Sequence, residues 1–385
     1  TLFLIGVTKV VLSFAGDAVG KTLPMAALLG PLAGVGLALL GLFPIVQIFD
    51  YPVAGLVGTG LVLYALVAGR RLPGRIPGAL AAVAVAAALY WGMDLLGIHP
   101  AHAQDAAANF GLHVPLPEFG HLAAGLPRAL DFLPVSLPFG LLTIIGGINA
   151  TASARAAGDE YRTRDILLVE AGSTLVAAVF GGVAQSTPYI GHPAYKAMGA
   201  KAGYTLATGL VVGIGGMLGL LGVLVNVLPE VAVAPILLFV GIEITVQAVR
   251  VPEPRYLPAV AFSILPVLAY LVSIYTGQLL GAGASPNPTL AEQVSTMAIV
   301  GQGFILTAML WGAAVAFLLD GRPGAVAATF AVLALFSLFG VVHSVDPNGG
   351  LQLPSARPYE IAAAYLLTGA VLAGLMTRDS RRRPN

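Results

Sequence analysis

The 385-residue sequence has no cysteine. That absence removes disulfides, thiolate nucleophiles and cysteine-ligated zinc or iron–sulfur centres together. Charge is scarce as well: Asp, Glu, Lys and Arg supply 10% of the residues, against about 25% in an ordinary soluble domain. The 19 basic and 18 acidic side chains nearly cancel, so the basic surface of a nucleic-acid binder is missing. Polar stretches are few, and 99–133 is the only long hydrophilic region. The chain is instead 57% apolar, with a mean hydropathy of +0.89. Its 48 Gly and 27 Pro lie in and between apolar runs rather than in a disordered polar tract. Several of those runs exceed the ~18 residues that mark a bilayer span. The composition predicts an all-α polytopic membrane protein whose first partner is the lipid bilayer.

Apolar runs between charges predict spans at 2–16, 25–49, 52–69, 76–98, 134–154, 165–182, 203–227, 231–249, 256–280, 290–318, 324–343 and 358–376. A further stretch, 183–202, is apolar but irregular, which makes 12 or 13 membrane segments in all. Interior Gly and Pro are tolerated in bundled membrane helices.

The basic residues supply an independent topology. With Arg70, Arg71 and Arg75 in the cytoplasm, strict alternation places 16 of the 19 Lys and Arg on that side, including Arg378, Arg381, Arg382 and Arg383 of the tail. Arg128 and Arg357 fall outside, and Lys9 lies within the first run. This is the bias of the positive-inside rule. It holds only if 183–202 also crosses, although Pro188, Gly191 and Pro193 forbid a continuous helix there. A broken span is where a transporter places its solute. The first run starts at Thr1 with no basic region and no small-residue cleavage site before Asp17, so it reads as the end of a helix cut mid-span rather than as a signal peptide.

Three apparent motifs dissolve on inspection. Gly20-Lys21-Thr22 closes a near-match to a phosphate loop, but Ala15 stands where the pattern needs Gly and no strand precedes it. His99, His102, His113 and His121 share the hydrophilic loop without the spacing of a helix-face metal site, so no metal is expected. Asn149-Ala150-Thr151 has the pattern of a glycosylation acceptor but lies inside an apolar span.

Polar groups within spans carry more information, because an ionisable side chain in the bilayer is costly and faces a cavity or a partner. Glu170 and Glu243 lie within runs 165–182 and 231–249 and are candidates for substrate or proton handling; pairing to a backbone amide or a neighbouring Thr is the structural alternative. In 134–154, Asn149, Thr151 and Ser153 follow a Gly146-Gly147 pair, and Asn149 and Ser153 share a helical face. They would either glue helices together or form a neutral hydrogen-bonding wall for a planar polar solute. Gln185-Ser186-Thr187-Pro188-Tyr189-Ile190-Gly191-His192-Pro193 combines amide, hydroxyl, phenol and imidazole on a non-helical backbone. Its free backbone donors and the helix expected to start near Ala194 suggest a pocket for an anion or a carbonyl.

At these residues the chain resembles the nucleobase–cation symporter-2 family of xanthine/uracil permeases, nearest to a poorly characterised bacterial branch. The likeness is carried by Gly146–Ala154, Ala157-Gly158-Asp159, Val179–Gly182, Ser186–Lys196 and Pro235–Gly241, and it covers roughly 20–280. The resemblance implies a fold of two inverted seven-span repeats, divided into core and gate domains. It makes 134–154 the eighth span, 165–182 the ninth, 183–202 the tenth and 203–227 the eleventh. The first run becomes the tail of the fourth span, with three spans and one half-helix of the site missing before it. On this scheme 1–98 is the remainder of the first repeat, 99–133 an external loop and 134–227 the second core. Gate spans follow at 228–318, then extra C-terminal spans and a basic tail at 319–385.

The chain departs from the family at two carboxylate positions, where it has Ala152 and Gly191-His192. The expected activity is secondary active transport of a nucleobase or a similar planar polar solute by alternating access, with no cofactor and no enzymatic chemistry. The coupling ion would be a proton, or else Na+. Asn149, Thr151, Ser153, Thr187, Tyr189, Gly191 and His192 would bind the solute, and His192, Glu243 and Glu170 would handle the ion. The expected location is the bacterial cytoplasmic membrane with a cytoplasmic C-terminus, and dimers are common in this architecture by the same resemblance. An anion transporter or channel of similar architecture is the first alternative, and a non-transporting membrane protein the second.

Overall fold

The computed structural model describes residues 2–99, 110–129, 133–183, 185, 192–345, 351 and 355–382. Among the described residues there is helix and no strand. In chain order the helices are α1 (Leu2–Thr22), α2 (Met25–Leu37), α3 (Phe43–Asp50), α4 (Pro52–Val62), α5 (Gly78–Leu95), α6 (Phe119–Ala129), α7 (Leu133–Ala156), α8 (Thr163–Val179) and α9 (His192–Ala197). They continue as α10 (Gly203–Met217), α11 (Leu220–Val227), α12 (Glu230–Arg250), α13 (Leu257–Gly281), α14 (Pro288–Gly301), α15 (Phe304–Leu319), α16 (Pro323–Leu338) and α17 (Ala356–Arg382).

Five segments are long and apolar enough to cross a membrane: Met25–Asp50, Gly78–Leu95, Glu230–Arg250, Pro254–Gly281 and Arg357–Asp379. Leu2–Gly16, Pro52–Val67, Gly203–Met217 and Pro323–Leu338 are shorter apolar helices. Large apolar side chains stand on the surface, with Val169 70%, Leu206 67% and Leu367 67% exposed. Lipid tails stabilise such a surface where water would not.

Two runs that look continuous by hydropathy are broken. The stretch 203–227 divides at Gly219, whose φ is +70°. The stretch 290–318 divides into α14 and α15, bent by 73°. Gly303 makes the second break, with φ +68° and an N-capping role for α15. A Cβ at Gly303 would lie 2.5 Å from the Val341 carbonyl oxygen, so both the backbone angle and the space exclude a side chain. Hydropathy misses these breaks because the residues on either side stay apolar. A π-helical turn at Ala38–Leu42 joins α2 to α3, and another at Leu63–Val67 follows α4.

The chain forms two compact units, each discontinuous in sequence. The first comprises 1–35, 117–190 and 245–385. In it α1 packs on α7 and α8, α13 on α14 and α15, and α16 on α15 and α17. Gly30 of α2 and Gly312 of α15 both close on Ser263 of α13, the small-residue packing by which membrane helices approach. Ala27, Ala313, Phe317 and Val326 form one buried cluster there. The second unit comprises 36–116 and 191–244. Its core gathers Tyr51, Ala54, Tyr90 and Val231, and any side chain at Gly241 would meet the Gly36 carbonyl.

Candidate functional site

The first unit holds a buried charge pair. On α1 the buried residues Ile5, Lys9, Ser13 and Gly16 recur every three or four positions, so Lys9 lies on the inner face of the helix. On α8 the buried residues Leu167, Glu170, Ala171 and Thr174 form the matching stripe. Glycines let the two helices approach: a Cβ at Gly6 would meet Leu175 Cδ2 at 2.7 Å, and one at Gly16 would meet Leu167 Cδ1 at 2.5 Å. These contacts also show that α1 and α8 run antiparallel.

The outcome is an ion pair with side-chain exposures of 0% for Lys9 and 3% for Glu170, and Nζ 2.5 Å from Oε1. The separation defines an ion pair, although the approach at Oε1 lacks hydrogen-bond geometry. Lys9 Nζ also donates to the Gln185 carbonyl oxygen at 2.5 Å and to Thr174 Oγ1 at 3.4 Å. Thr174 Oγ1 accepts from the Gln185 backbone N–H at 3.2 Å. The ammonium is therefore held both by α8 and by the chain leading out of it. Lys9 was the basic residue that the topology left inside the first run. Its pairing is the feature of this interior that the sequence missed, and the signal was present: a lysine at membrane depth needs a carboxylate.

The polar residues of α7 take three different roles. Ser153 Oγ donates to Gln247 Oε1 of α12 at 2.6 Å, and Gln247 Nε2 donates to the Ser153 carbonyl at 2.8 Å. Thr151 Oγ1 donates to the Gly147 carbonyl of its own helix at 2.8 Å. Asn149 is 0% exposed, and neither its Oδ1 nor its Nδ2 has a hydrogen-bond partner. A buried, unpaired polar group costs about 1–3 kcal/mol, so the folded chain carries an unmet demand at Asn149.

The other sequence-predicted residues are scattered or undescribed. Thr187, Tyr189 and Gly191 lie outside the described residues. His192, half-buried, begins α9, two residues before the expected start near Ala194. Glu243 is half-buried on α12, one turn before Gln247. Glu170 belongs with Lys9, as described. Of the loop histidines, His99 packs at a tilt against Tyr51 with ring centres 4.2 Å apart, and His121 Nδ1 lies 3.1 Å from Glu118 Oε2 on the surface. Among the described residues no three His, Asp or Glu side chains converge as a metal site requires.

A second polar network sits beside the α14–α15 break. His343, buried and at φ +55°, donates its backbone N–H to the Gln302 carbonyl at 3.1 Å. Its Nδ1 faces the Ile299 carbonyl at 3.1 Å and its Nε2 faces the Tyr365 hydroxyl at 2.7 Å. A carbonyl only accepts, so the proton is assigned to Nδ1 and Nε2 accepts from Tyr365. The Tyr365 oxygen in turn accepts from Trp311 Nε1 at 3.0 Å.

These helices define an all-helical protein built to sit in a membrane, with buried charge and an unpaired amide in its interior. No family model, curated protein or solved structure matches the chain.

Proposed function

We propose that the protein is a secondary active transporter of a nucleobase, such as xanthine or uracil, or of a similar planar polar solute. On this reading it has the inverted-repeat architecture, works by alternating access with proton coupling, and sits in the bacterial cytoplasmic membrane with its C-terminus in the cytoplasm. The observation that supports the reading is Asn149. Its side chain presents one donor and one acceptor direction from a buried helix face with neither satisfied. A nucleobase offers the complementary pair on its amide edge, and pairing would recover the desolvation penalty of both partners. Asn149 lies one turn from Ser153, whose pair of hydrogen bonds with Gln247 holds that end of α7 in register. Thr187, Tyr189, Gly191 and His192 complete the solute side of the proposal, with His192, Glu243 and Glu170 as the ion-handling groups.

The experiment is uptake of radiolabelled xanthine and uracil by cells expressing the full-length protein. Saturable uptake with cross-competition among nucleobases is expected, and His192→Ala should abolish it or change its pH dependence. Uptake equal to that of empty cells across a nucleobase panel would remove the proposal. Uptake of sulfate or bicarbonate in its place would favour an anion carrier.

A further inference from the structure

Three oxygens surround the Lys9 ammonium: Glu170 Oε1, the Gln185 carbonyl and Thr174 Oγ1. A carboxylate, a backbone carbonyl and a hydroxyl are the ligands that hard cations take in proteins. Non-helical carbonyls at membrane depth are also where transporters hold coupling ions. The one carboxylate among these oxygens is Glu170, and the single positive charge of the Lys9 ammonium neutralises it. A divalent ion in place of the ammonium would leave a buried excess charge, which is expensive. We propose that Glu170, Thr174 and the Gln185 carbonyl form a monovalent-cation site that Lys9 fills with its own tethered cation. The ammonium arrives with the fold and needs no ion from solution. Because Lys9 is 0% exposed, no volume remains for Na+ beside it. Any coupling at this place is therefore indifferent to Na+; that consequence rests on the transporter reading, whereas the site itself does not.

A purely structural ion pair would behave differently once the tether is cut, because it has no reason to accept a free ion. Lys9→Ala removes the amine and its stem but keeps all three oxygens. Thermal unfolding of the full-length protein in detergent is followed by the fluorescence of Trp91 and Trp311, in choline chloride with NaCl replacing it at constant ionic strength. The wild-type Tm should be the same in both salts. Lys9→Ala should melt lower in choline and recover saturably, by about 3 °C at a hundredfold excess of Na+ over its Kd. Ammonium chloride should rescue it too, and Lys9→Ala/Glu170→Gln should respond to neither salt.

A Lys9→Ala protein that melts equally low in choline, NaCl, LiCl, KCl and ammonium chloride overturns the proposal. So does a wild-type protein that gains as much from Na+ as the variant. If Lys9→Ala folds in none of these salts while Lys9→Ala/Glu170→Gln does, the proposal also fails, because no free cation then reaches the carboxylate. The readout is stability rather than uptake, so a failed nucleobase assay leaves this result standing.

Discussion

Asn149→Leu separates a solute-binding amide from a structural one. The two side chains have the same number of heavy atoms and the same branching, so the exchange leaves no large cavity and forces little overpacking. In the native fold Asn149 is 0% exposed with two unsatisfied atoms. The substitution removes a desolvation penalty of about 1–3 kcal/mol and adds apolar burial where the chain already provides it. The net expectation is a stability gain of about 1–3 kcal/mol. In a chain of this length that gain corresponds to roughly 1–4 °C in Tm. Solute uptake, by contrast, should be lost, since Leu can neither donate nor accept. The assay pairs thermal unfolding in detergent with nucleobase uptake in cells expressing the same variant. A protein that melts higher and transports nothing is the expected result. Asn149→Leu that melts several degrees lower would refute the reasoning, because the amide would then be satisfied in the fold. Undiminished uptake would refute the solute contact.

Two further perturbations probe the frame around the site. Gly303→Ala should destabilise by about 2–4 kcal/mol: a left-handed backbone costs an L-residue about 1–2 kcal/mol, and the Cβ would sit 2.5 Å from the Val341 carbonyl. Denaturant or thermal unfolding reads the loss, and a variant equal to wild type would contradict the described bend. His343→Asn tolerates a left-handed backbone but is too short to span the Ile299 carbonyl and the Tyr365 hydroxyl. It should destabilise by about 1–3 kcal/mol, read by thermal unfolding, and a variant that melts with the wild type would contradict the His343–Tyr365–Trp311 network.

Much of the helical framework was legible because hydropathy and helical period are local properties. The run 76–98 became Gly78–Leu95, 231–249 became Glu230–Arg250, and 256–280 became Leu257–Gly281. The breaks at Gly219 and Gly303, where no proline stands, were not legible. The Gly301-Gln302-Gly303 corner stayed hidden because glycine permits a turn without requiring one. The α6 helix within the hydrophilic loop was hidden as well, since 99–133 offers no long apolar run. At the candidate site, the burial of Asn149, Ser153 and Glu170 followed from their places within apolar runs. Their partners did not, because Gln247 and Lys9 come from distant parts of the chain.

The sequence by itself determined that this protein belongs in a membrane, where several of its helices run, and that a few polar groups must be sheltered inside. Those conclusions depend on composition and spacing, which transfer free energies convert directly into position. Only the tertiary structure decided how each sheltered group is satisfied. Packing across the glycines of α1 brings Lys9 to Glu170, Thr174 and the Gln185 carbonyl. Packing of α7 against α12 gives Ser153 its partner and leaves Asn149 with none. Hydrogen bonds and ion pairs form over about 3 Å, and which groups come that close is a property of the fold rather than of any stretch of sequence.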